Sequence, residues 1–313
     1  MNENLVFPIH NPPEKINSQI AEDAGIELYT LRLDLMHPSV NGNKWFKLKY
    51  NLLEAQEKQI NTLLTFGGAY SNHIFAAAAA GNVFGFQTIG IIRGEEILPL
   101  NPTLSFAKQQ GMQLVYLDRK TYQQKNTKAV EEELRQRFGE VFLIPEGGCN
   151  LNGVHGCTEI IPNTEQFDTI CLACGTGTTL AGIALCLKQE QRVIGFPVLK
   201  NGDFLRQDIK NLLKSYLASN RYIPGDKSLS WELICDYHFG GYAKVNDELY
   251  SFKQQFEETY NIPLDYVYTA KMFYGVMDLL QKGYFPKGHK LLLIHTGGLQ
   301  GNYGIEQRLT GNN

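Results

Sequence analysis

The sequence has little of what marks a secreted, membrane-spanning or nucleic-acid-binding protein. Six cysteines in 313 residues are too few and too scattered for a disulfide framework. A net charge of −3 leaves no basic surplus for binding nucleic acid. The long apolar stretch at residues 74–86 is interrupted by Gly81, Asn82 and Gly85, and it is shorter than the roughly 20 residues of a membrane-spanning helix. Because the amino terminus also lacks the basic start of a signal peptide, we expect a cytoplasmic protein.

One cysteine pair, Cys171 and Cys174, has the C-x-x-C spacing of redox and zinc sites. Cys171 lies in the apolar run of residues 169–173, where a cysteine packs as a small hydrophobic side chain. A second C-x-x-C that would complete a zinc site is absent, because Cys149 and Cys157 are eight residues apart. We therefore interpret these cysteines as core residues and expect no metal.

Short apolar runs alternate with helical patterns along most of the chain, which is typical of a parallel sheet covered by helices. The length suits two domains, and the glycine-rich turn at residues 146–150 predicts the boundary. Residues 49–148 then form a smaller α/β domain, and residues 1–48 with 149–313 form a larger, cofactor-binding domain. Strands are predicted at residues 62–66, 88–92, 113–116, 141–144, 169–173, 193–196, 231–234 and 291–294. Helices are predicted at residues 46–58, 72–83, 102–110, 128–138, 178–188, 204–217, 247–260 and 271–282, and after residue 298.

Three motifs lie at the ends of predicted elements. Lys44 lies in Gly-Asn-Lys-Trp-Phe-Lys, a loop-like stretch before a helical pattern. The Gly-Gly-Ala-Tyr-Ser-Asn-His turn at residues 67–73 follows one strand, and the Gly-Thr-Gly-Thr-Thr turn at residues 175–179 follows another. Ligands of open parallel sheets bind beyond the carboxyl ends of the strands. An amine nucleophile, a polar turn and a Gly/Thr phosphate cradle are the parts needed to hold pyridoxal phosphate as a lysine Schiff base.

The Gly/Thr turn has an alternative interpretation as a purely structural connection between a strand and a helix. Glycines permit close approach of the backbone, and free N–H groups with threonine hydroxyls favour an anion. No Gly-Lys-Ser/Thr follows, which excludes a Walker loop. Leu180 stands where a dinucleotide fingerprint has its third glycine. A cradle for a single phosphate group fits the turn best.

Lys44 and the Ser-Asn-His turn can also be interpreted as features without a catalytic role. Most lysines are solvated and titrate near ~10.4, so a Schiff base at neutral pH requires desolvation or a cationic neighbour. Lys47, one helical turn further along the chain, can be that cationic neighbour, or it can contact the phosphate. Ser71 or Asn72 can be the N-cap of a helix. Both interpretations of the turn are compatible, because a helix N-terminus also favours a carboxylate.

In their order along the chain, the motifs resemble the 1-aminocyclopropane-1-carboxylate deaminase / D-cysteine desulfhydrase family. The resemblance spans the chain from about Arg32 to Gly298. It implies the tryptophan-synthase-β-like fold of pyridoxal-phosphate enzymes (fold type II), with two open, mostly parallel twisted sheets covered by helices, and a homodimer. The matching motifs are Asn43-Lys44-x-x-Lys47-Leu48, the turns at residues 67–73 and 175–179, Gly240-Gly241-Tyr242, Val267-Tyr268-Thr269-x-Lys271 and His295-Thr296-Gly297-Gly298.

The resemblance implies a role for each matched residue. Lys44 would carry the cofactor and move the α-proton of the substrate, Tyr268 would stack on the pyridine ring, and Thr296 would approach its nitrogen. The residues implied in catalysis are Lys44, Ser71, Tyr242 and Tyr268. Those implied in cofactor binding are Lys44, Lys47, Asn72, Gly175, Thr176, Gly177, Thr178, Thr179, Tyr268 and Thr296. Those implied in substrate binding are Ser71, Asn72, His73, Tyr242 and Thr269. Phe46 stands where an arginine is common in the family.

The leading interpretation is a lyase that removes a β-substituent from a small amino acid and releases ammonia and a 2-oxo acid. In the deaminase branch, glutamate is expected after the stacking tyrosine, and leucine in the His-x-Gly-Gly motif. Thr269 and Thr296 resemble the desulfhydrase branch instead, so D-cysteine is favoured over the cyclopropane amino acid. Two alternatives are a nucleotide- or NAD-binding oxidoreductase and a non-catalytic cofactor-binding protein. The incomplete glycine fingerprint disfavours the first, and the intact Lys44, Ser71 and Tyr268 disfavour the second.

Overall fold

The computed structural model describes residues 12–161, 166–219, 229–309 and 311. Within these ranges the strands form two sheets. The strands are β1 (Glu14–Lys15), β2 (Glu27–Arg32), β3 (Thr62–Gly67), β4 (Gln87–Arg93), β5 (Gln113–Leu117), β6 (Phe142–Ile144), β7 (Thr169–Cys174), β8 (Arg192–Pro197), β9 (Trp231–Leu233) and β10 (Lys290–His295).

Both sheets are mostly parallel. The six-stranded sheet has the order β1-β2-β10-β7-β8-β9, and within it only β1 pairs in the antiparallel direction. The four-stranded sheet has the order β5-β4-β3-β6 and is parallel throughout. Parallel neighbours need crossover connections, which the helices between the strands provide. The predicted fold class is confirmed.

The helices alternate with the strands along the chain. They are α1 (Gln19–Asp23), α2 (Asn43–Glu57), α3 (Asn72–Phe84), α4 (Pro102–Gln109), α5 (Arg119–Gln123), α6 (Lys128–Phe138), α7 (Leu151–Cys157), α8 (Thr178–Ala184), α9 (Leu205–Ala218), α10 (Asp247–Tyr260), α11 (Thr269–Gln281) and α12 (Asn302–Leu309). Every predicted strand and helix is present: α6 and α10 have the predicted bounds and the others have shifted ends. The sequence analysis missed β1, β2, α1, α5 and α7. No helix of the described ranges is long and apolar enough to cross a membrane.

The prediction that Lys44 lies in a loop is wrong, because α2 begins at Asn43 and Lys44 belongs to its first turn. Gly42 precedes the helix with a φ of 67°. The backbone there passes so close to the end of β10 that a Cβ on Gly42 would lie 2.1 Å from the carbonyl oxygen of Thr296. The N–H of Asn43 donates to that oxygen at 3.2 Å. The start of α2 is therefore fixed against the carboxyl end of β10.

The largest hydrophobic cluster joins both sheets. Phe46 of α2, Ile74 of α3 and Leu172 of β7 all belong to it and are buried. The alanines of α3 at residues 76–80 are buried in the same cluster, where small side chains allow close packing. Strands β3–β6 lie within residues 49–148 and the other strands lie outside that range, but the core does not follow this division. The two-domain division stays a prediction.

Candidate active site

The candidate site lies where three strands end. The turn at residues 67–73 follows β3, the turn at residues 175–179 follows β7, and Thr296 follows β10. The first turn of α2, with Lys44, abuts the end of β10 through the bond between Asn43 and Thr296. The carboxyl edges of two sheets and one helix start thus bring the predicted residues into one region.

Lys44 is partly buried, and its surroundings favour the unprotonated amine. Burial, and next the positive charge of Lys47, hold the pKa of Lys44 well below the ordinary value for a lysine. Its Nζ donates to Asn43 Oδ1 at 3.0 Å, and Asn43 Nδ2 donates to Thr179 Oγ1 at 3.0 Å. Asn43, which the sequence analysis did not assign, therefore links the amine to the Gly/Thr turn. An unprotonated amine can attack an aldehyde carbon.

Lys47 and the Gly/Thr turn form an anion-binding arrangement. Lys47 is only 4% exposed, its Nζ donates to Thr176 Oγ1 at 3.4 Å, and it joins no ion pair among the described residues. The hydroxyls of Thr176 and Thr178 lie 2.9 Å apart, and Gly177 turns the backbone at a φ of 75°. A buried cation without a carboxylate calls for an anionic partner. A phosphate group beside Lys47 and the two hydroxyls satisfies that demand.

A second glycine turn, at residues 146–150, packs against this cradle. Gly147 and Gly148 have φ values of 68° and 67°. A Cβ on Gly148 would lie 2.9 Å from Lys47 Cβ, and one on Gly147 would lie 3.2 Å from Thr176 Cγ2. The sequence analysis treated this turn only as a domain boundary. Two adjacent glycines after a strand were a signal of close backbone approach as well.

The predicted capping role of Ser71 is confirmed. Ser71 Oγ accepts hydrogen bonds from the N–H groups of His73 and Ile74 at 3.2 and 3.3 Å, at the start of α3. A hydroxyl that accepts two bonds keeps its own proton to donate. Asn72 Oδ1 accepts a bond from Gln300 Nε2, a partner that the sequence analysis missed. The substrate and cofactor roles of Ser71 and Asn72 stay predictions.

His73 is a neutral hydrogen-bond acceptor toward the site. It is 2% exposed, and its Nε2 lies 2.8 Å from Thr65 Oγ1, whose single proton is donated to the carbonyl oxygen of Ile144 at 2.8 Å. The Thr65 hydroxyl must therefore accept the Nε2–H proton, which leaves a lone pair on Nδ1. That atom has no partner among the described residues. Burial, and next Lys44 and Lys47, lower the pKa of His73 to about 3. Such a ring offers no positive charge to a carboxylate, and with so low a pKa it is a weak base.

Two tyrosines form an aromatic wall. The rings of Tyr242 and Tyr268 have centroids 6.1 Å apart at 76°. A Cβ on Gly175 would lie 3.2 Å from Tyr268 Cε1, so the ring lies over the Gly/Thr turn. Burial, and next Tyr242, raise the pKa of Tyr268 well above its ordinary value. Burial likewise raises the pKa of Tyr242, so both hydroxyls are donors at neutral pH.

Thr269 is buried beneath this wall and bonded to Asp265. The hydroxyl and N–H of Thr269 donate to Asp265 Oδ1 at 2.9 and 2.8 Å, and the N–H groups of Val267 and Tyr268 donate to Oδ2 at 2.9 Å each. Asp265 thus fixes the start of α11, and it was missed because a lone aspartate in a loop has no distinguishing pattern. The predicted contact of Thr269 with substrate stays a prediction.

Phe46 occupies the position where the resembling family often has an arginine. Its side chain is fully buried in the core, with no exposed surface. A Cβ on Gly156 of α7 would lie 1.7 Å from the carbonyl oxygen of Phe46, so α7 packs directly on the backbone of α2. This position therefore contributes packing rather than charge.

Comparison with known proteins agrees with this geometry. Residues 16–297 match the family described as pyridoxal-phosphate dependent enzyme. A relative from Pyrococcus horikoshii, provisionally named 1-aminocyclopropane-1-carboxylate deaminase, is 33% identical over 93% of this chain and 90% of its own length. The mitochondrial bifunctional D-cysteine desulfhydrase/1-aminocyclopropane-1-carboxylate deaminase of Arabidopsis thaliana is 30% identical over 89% of this chain and 74% of its own length. A crystal structure described as an ACC (1-aminocyclopropane-1-carboxylate) deaminase homologue matches with a TM-score of 0.83 and 29% identity. The match covers 97% of this chain and 94% of the homologue.

Proposed function

The chain belongs to the family of pyridoxal-phosphate-dependent enzymes, and from that premise we propose a lyase that eliminates the β-substituent of D-cysteine. The products are sulfide, ammonia and a 2-oxo acid. The observation that carries the proposal is Lys44, an amine with a lowered pKa that Asn43 ties to the threonine turn. The names of the relatives agree with a lyase of this kind.

The residues present fit the cofactor, pyridoxal 5'-phosphate. Lys47, Thr176 and Thr178 would hold its phosphate, since together they offer one buried cation and two hydroxyls. Lys44 would bind its aldehyde carbon, and Tyr268 would cover a face of its ring. When bound, the cofactor supplies an electron sink for charge that develops on the α-carbon of the substrate.

Each of the other groups acts on the substrate through its own proton or lone pair. The Lys44 amine moves the α-proton, because its lowered pKa leaves it able to accept one. The Ser71 hydroxyl, with its own proton free, donates to the substrate carboxylate at the start of α3. The hydroxyls of Tyr242 and Tyr268 keep their protons at neutral pH and can donate to a departing thiolate.

The substrate follows from the neutral side chains Thr269 and Thr296. A carboxylate near the pyridine nitrogen would keep it protonated and make the ring a strong electron sink, which opening an unactivated cyclopropane requires. The Thr269 hydroxyl is neutral and already donates its proton to Asp265. Expelling a thiolate from the β-carbon is easier and tolerates a weaker sink. Deamination of 1-aminocyclopropane-1-carboxylate is the second candidate, favoured by the name of the P. horikoshii relative.

Side-by-side assays test the proposal. The purified holoenzyme is given D-cysteine or 1-aminocyclopropane-1-carboxylate at equal concentrations, and sulfide, ammonia and 2-oxo acid are measured. We expect equal amounts of the three products from D-cysteine and little ammonia from the cyclopropane. Faster turnover of the cyclopropane amino acid contradicts the argument from the two threonines. A visible absorbance band that borohydride bleaches, without turnover of either compound, indicates a non-catalytic binder.

We also propose that the protein is a homodimer, as the family resemblance implies. A location in the cytoplasm is proposed from the sequence composition. Light scattering of the purified holoenzyme across a range of concentrations tests the dimer. A mass of one 35.3 kDa chain at every concentration contradicts it.

A further inference from the structure

A buried lysine outside the predicted site binds the loop that carries Tyr242. Lys271 is 0% exposed and lies in the first turn of α11. Its Nζ donates to the carbonyl oxygen of His238 at 2.9 Å and to that of Gly241 at 2.7 Å. It joins no ion pair among the described residues. The ammonium is thus a second, charged donor to both carbonyls, which also accept the N–H groups of Gly241 at 3.0 Å and Lys244 at 3.1 Å respectively.

The loop at residues 236–243 has a backbone that needs such an anchor. Phe239 and Ala243 have φ values of 50° and 54°, in a region that residues with a side chain rarely adopt. Gly240 and Gly241 have φ values of 86° and 119°. A second contact comes from the Phe239 ring, which packs edge-on against Tyr274 of α11 at 4.9 Å. Because this conformation is unfavourable in isolation, contacts with neighbouring elements must maintain it: these bonds to α11, and the bond from Arg308 of α12 to the carbonyl oxygen of Ala243 at 3.2 Å.

One turn of α11 holds both tyrosines of the aromatic wall. Tyr268 is the N-cap of the helix, and Lys271 follows three residues later. Through the loop, Lys271 fixes the backbone next to Tyr242, whose ring stands 6.1 Å from that of Tyr268. One lysine side chain therefore connects the backbone beside Tyr242 to the helix that begins at Tyr268.

We propose that Lys271 is a positioning residue, which sets Tyr242 against Tyr268 by binding the carbonyls of His238 and Gly241. The assignment rests on the proposed function in so far as Tyr242 faces the substrate. A lysine with no role in chemistry and no carboxylate partner is expensive to bury, which is why its burial here indicates a specific task. Burial lowers the pKa of Lys271 to about 8, and Asp265 partly opposes that shift, so near pH 7 the side chain is a charged donor.

The first test needs no substrate. Hydrogen exchange is measured on the holoenzyme and on Lys271→Met, which removes the donors and keeps most of the aliphatic stem. Losing two charge-assisted hydrogen bonds is expected to speed exchange at residues 238–243 by roughly tenfold or more. Lys271→Arg retains donors and should restore much of the protection. Lys253→Met is the matched control, since Lys253 is also buried but pairs with Glu257 at 2.8 Å within α10. Unchanged exchange in Lys271→Met overturns the proposal.

The second test asks whether Lys271 acts through Tyr242. Lys271→Met should lower kcat/KM for D-cysteine by roughly tenfold while the cofactor content stays that of the wild type. In a Tyr242→Ala background, Lys271→Met should not lower kcat/KM any further, because the tyrosine that Lys271 positions is absent. An equal loss in both backgrounds overturns the proposal. If Lys271→Met does not fold, Lys271→Gln takes its place in both tests. A change in exchange without activity on any amino acid contradicts the proposed function and leaves the positioning role intact.

Discussion

At the scale of single residues, the site contains two titratable groups whose pKa values are lowered by their surroundings. Lys44 and His73 both have lowered pKa values, and in each case burial is the main cause and nearby lysine charge adds to it. A lowered pKa increases the unprotonated fraction of the Lys44 amine, which is the form that reacts, and it keeps the His73 ring uncharged. The sequence predicted both residues from their motifs. It did not predict the tautomer of His73, because that depends on Thr65 of β3, whose hydroxyl donates its proton to the carbonyl oxygen of Ile144 in the neighbouring strand β6.

The assignment of Lys44 predicts where the cofactor is attached. Borohydride reduction of the holoenzyme followed by peptide mapping should find the pyridoxyl group on Lys44. Lys44→Ala should lose elimination activity by several orders of magnitude, because the amine that binds the cofactor and moves the proton is gone. Lys253→Ala serves as a control for the loss of another buried lysine. A pyridoxyl group on Lys47 or Lys271 would show that the assignment is wrong.

The environment of His73 predicts a loss of stability in mild acid. Its pKa is about 3 in the folded chain, against 6.5 for an ordinary histidine. Between these values the unfolded chain binds a proton that the folded chain does not, so the stability contribution is complete above pH 6.5 and declines as the pH falls. The slope is about 1.4 kcal/mol per pH unit, or about 2 kcal/mol between pH 6.5 and pH 5. Urea unfolding should show this loss in the wild type and a smaller one in His73→Gln. Parallel pH profiles for the two proteins contradict the prediction.

At the scale of elements, propensity and periodicity predicted most of the helices and strands, but packing determined the rest. Helix α7 was missed because Gly153 and Gly156 are poor helix formers. In the structure they are required, since a Cβ on Gly153 would lie 2.0 Å from the carbonyl oxygen of Gly148 and one on Gly156 would lie 1.7 Å from that of Phe46. The predicted start of α2, at residue 46, is later than the observed start at Asn43, because a contact outside the helix determines where it begins. Its first turn is fixed by the end of β10, which is distant in sequence.

The Gly/Thr turn between β7 and α8 predicts a specific loss of cofactor affinity. Hydrogen bonds to a charged group contribute roughly 1.5–3 kcal/mol each, so removing two hydroxyls should weaken cofactor binding by tens-fold or more. Thr176→Ala combined with Thr178→Ala should therefore raise the concentration of pyridoxal phosphate needed for half-saturation, with an unchanged circular dichroism spectrum. Thr259→Ala, which removes an exposed hydroxyl on α10, is the control. Unchanged affinity in the double variant supports the purely structural interpretation of the turn.

At the scale of the whole molecule, the order of motifs predicted the fold and the family, whereas the extent of the core did not follow from the sequence. The range of residues 49–148 contains every strand of the four-stranded sheet and none of the six-stranded sheet. It does not separate their buried side chains, because α2, α3 and α7 contribute to one cluster that contacts both sheets. Hydrophobic periodicity identifies which face of a helix is buried but not which partner covers it.

The shared core predicts that both sheets unfold together, although chains of this size often unfold domain by domain. The chain has two tryptophans. Trp45 stacks on Phe84 of α3 at 5.6 Å, and Trp231 lies in β9 of the six-stranded sheet. Trp231→Phe and Trp45→Phe therefore each leave one reporter, and fluorescence in urea should give the same midpoint for both. Pyridoxal phosphate at 100 times its dissociation constant should stabilise the folded chain by about 2.7 kcal/mol. Both urea midpoints should therefore rise together. Two separated transitions would instead show that residues 49–148 form an independent folding unit, and that contacts across the shared cluster contribute little to holding the site together.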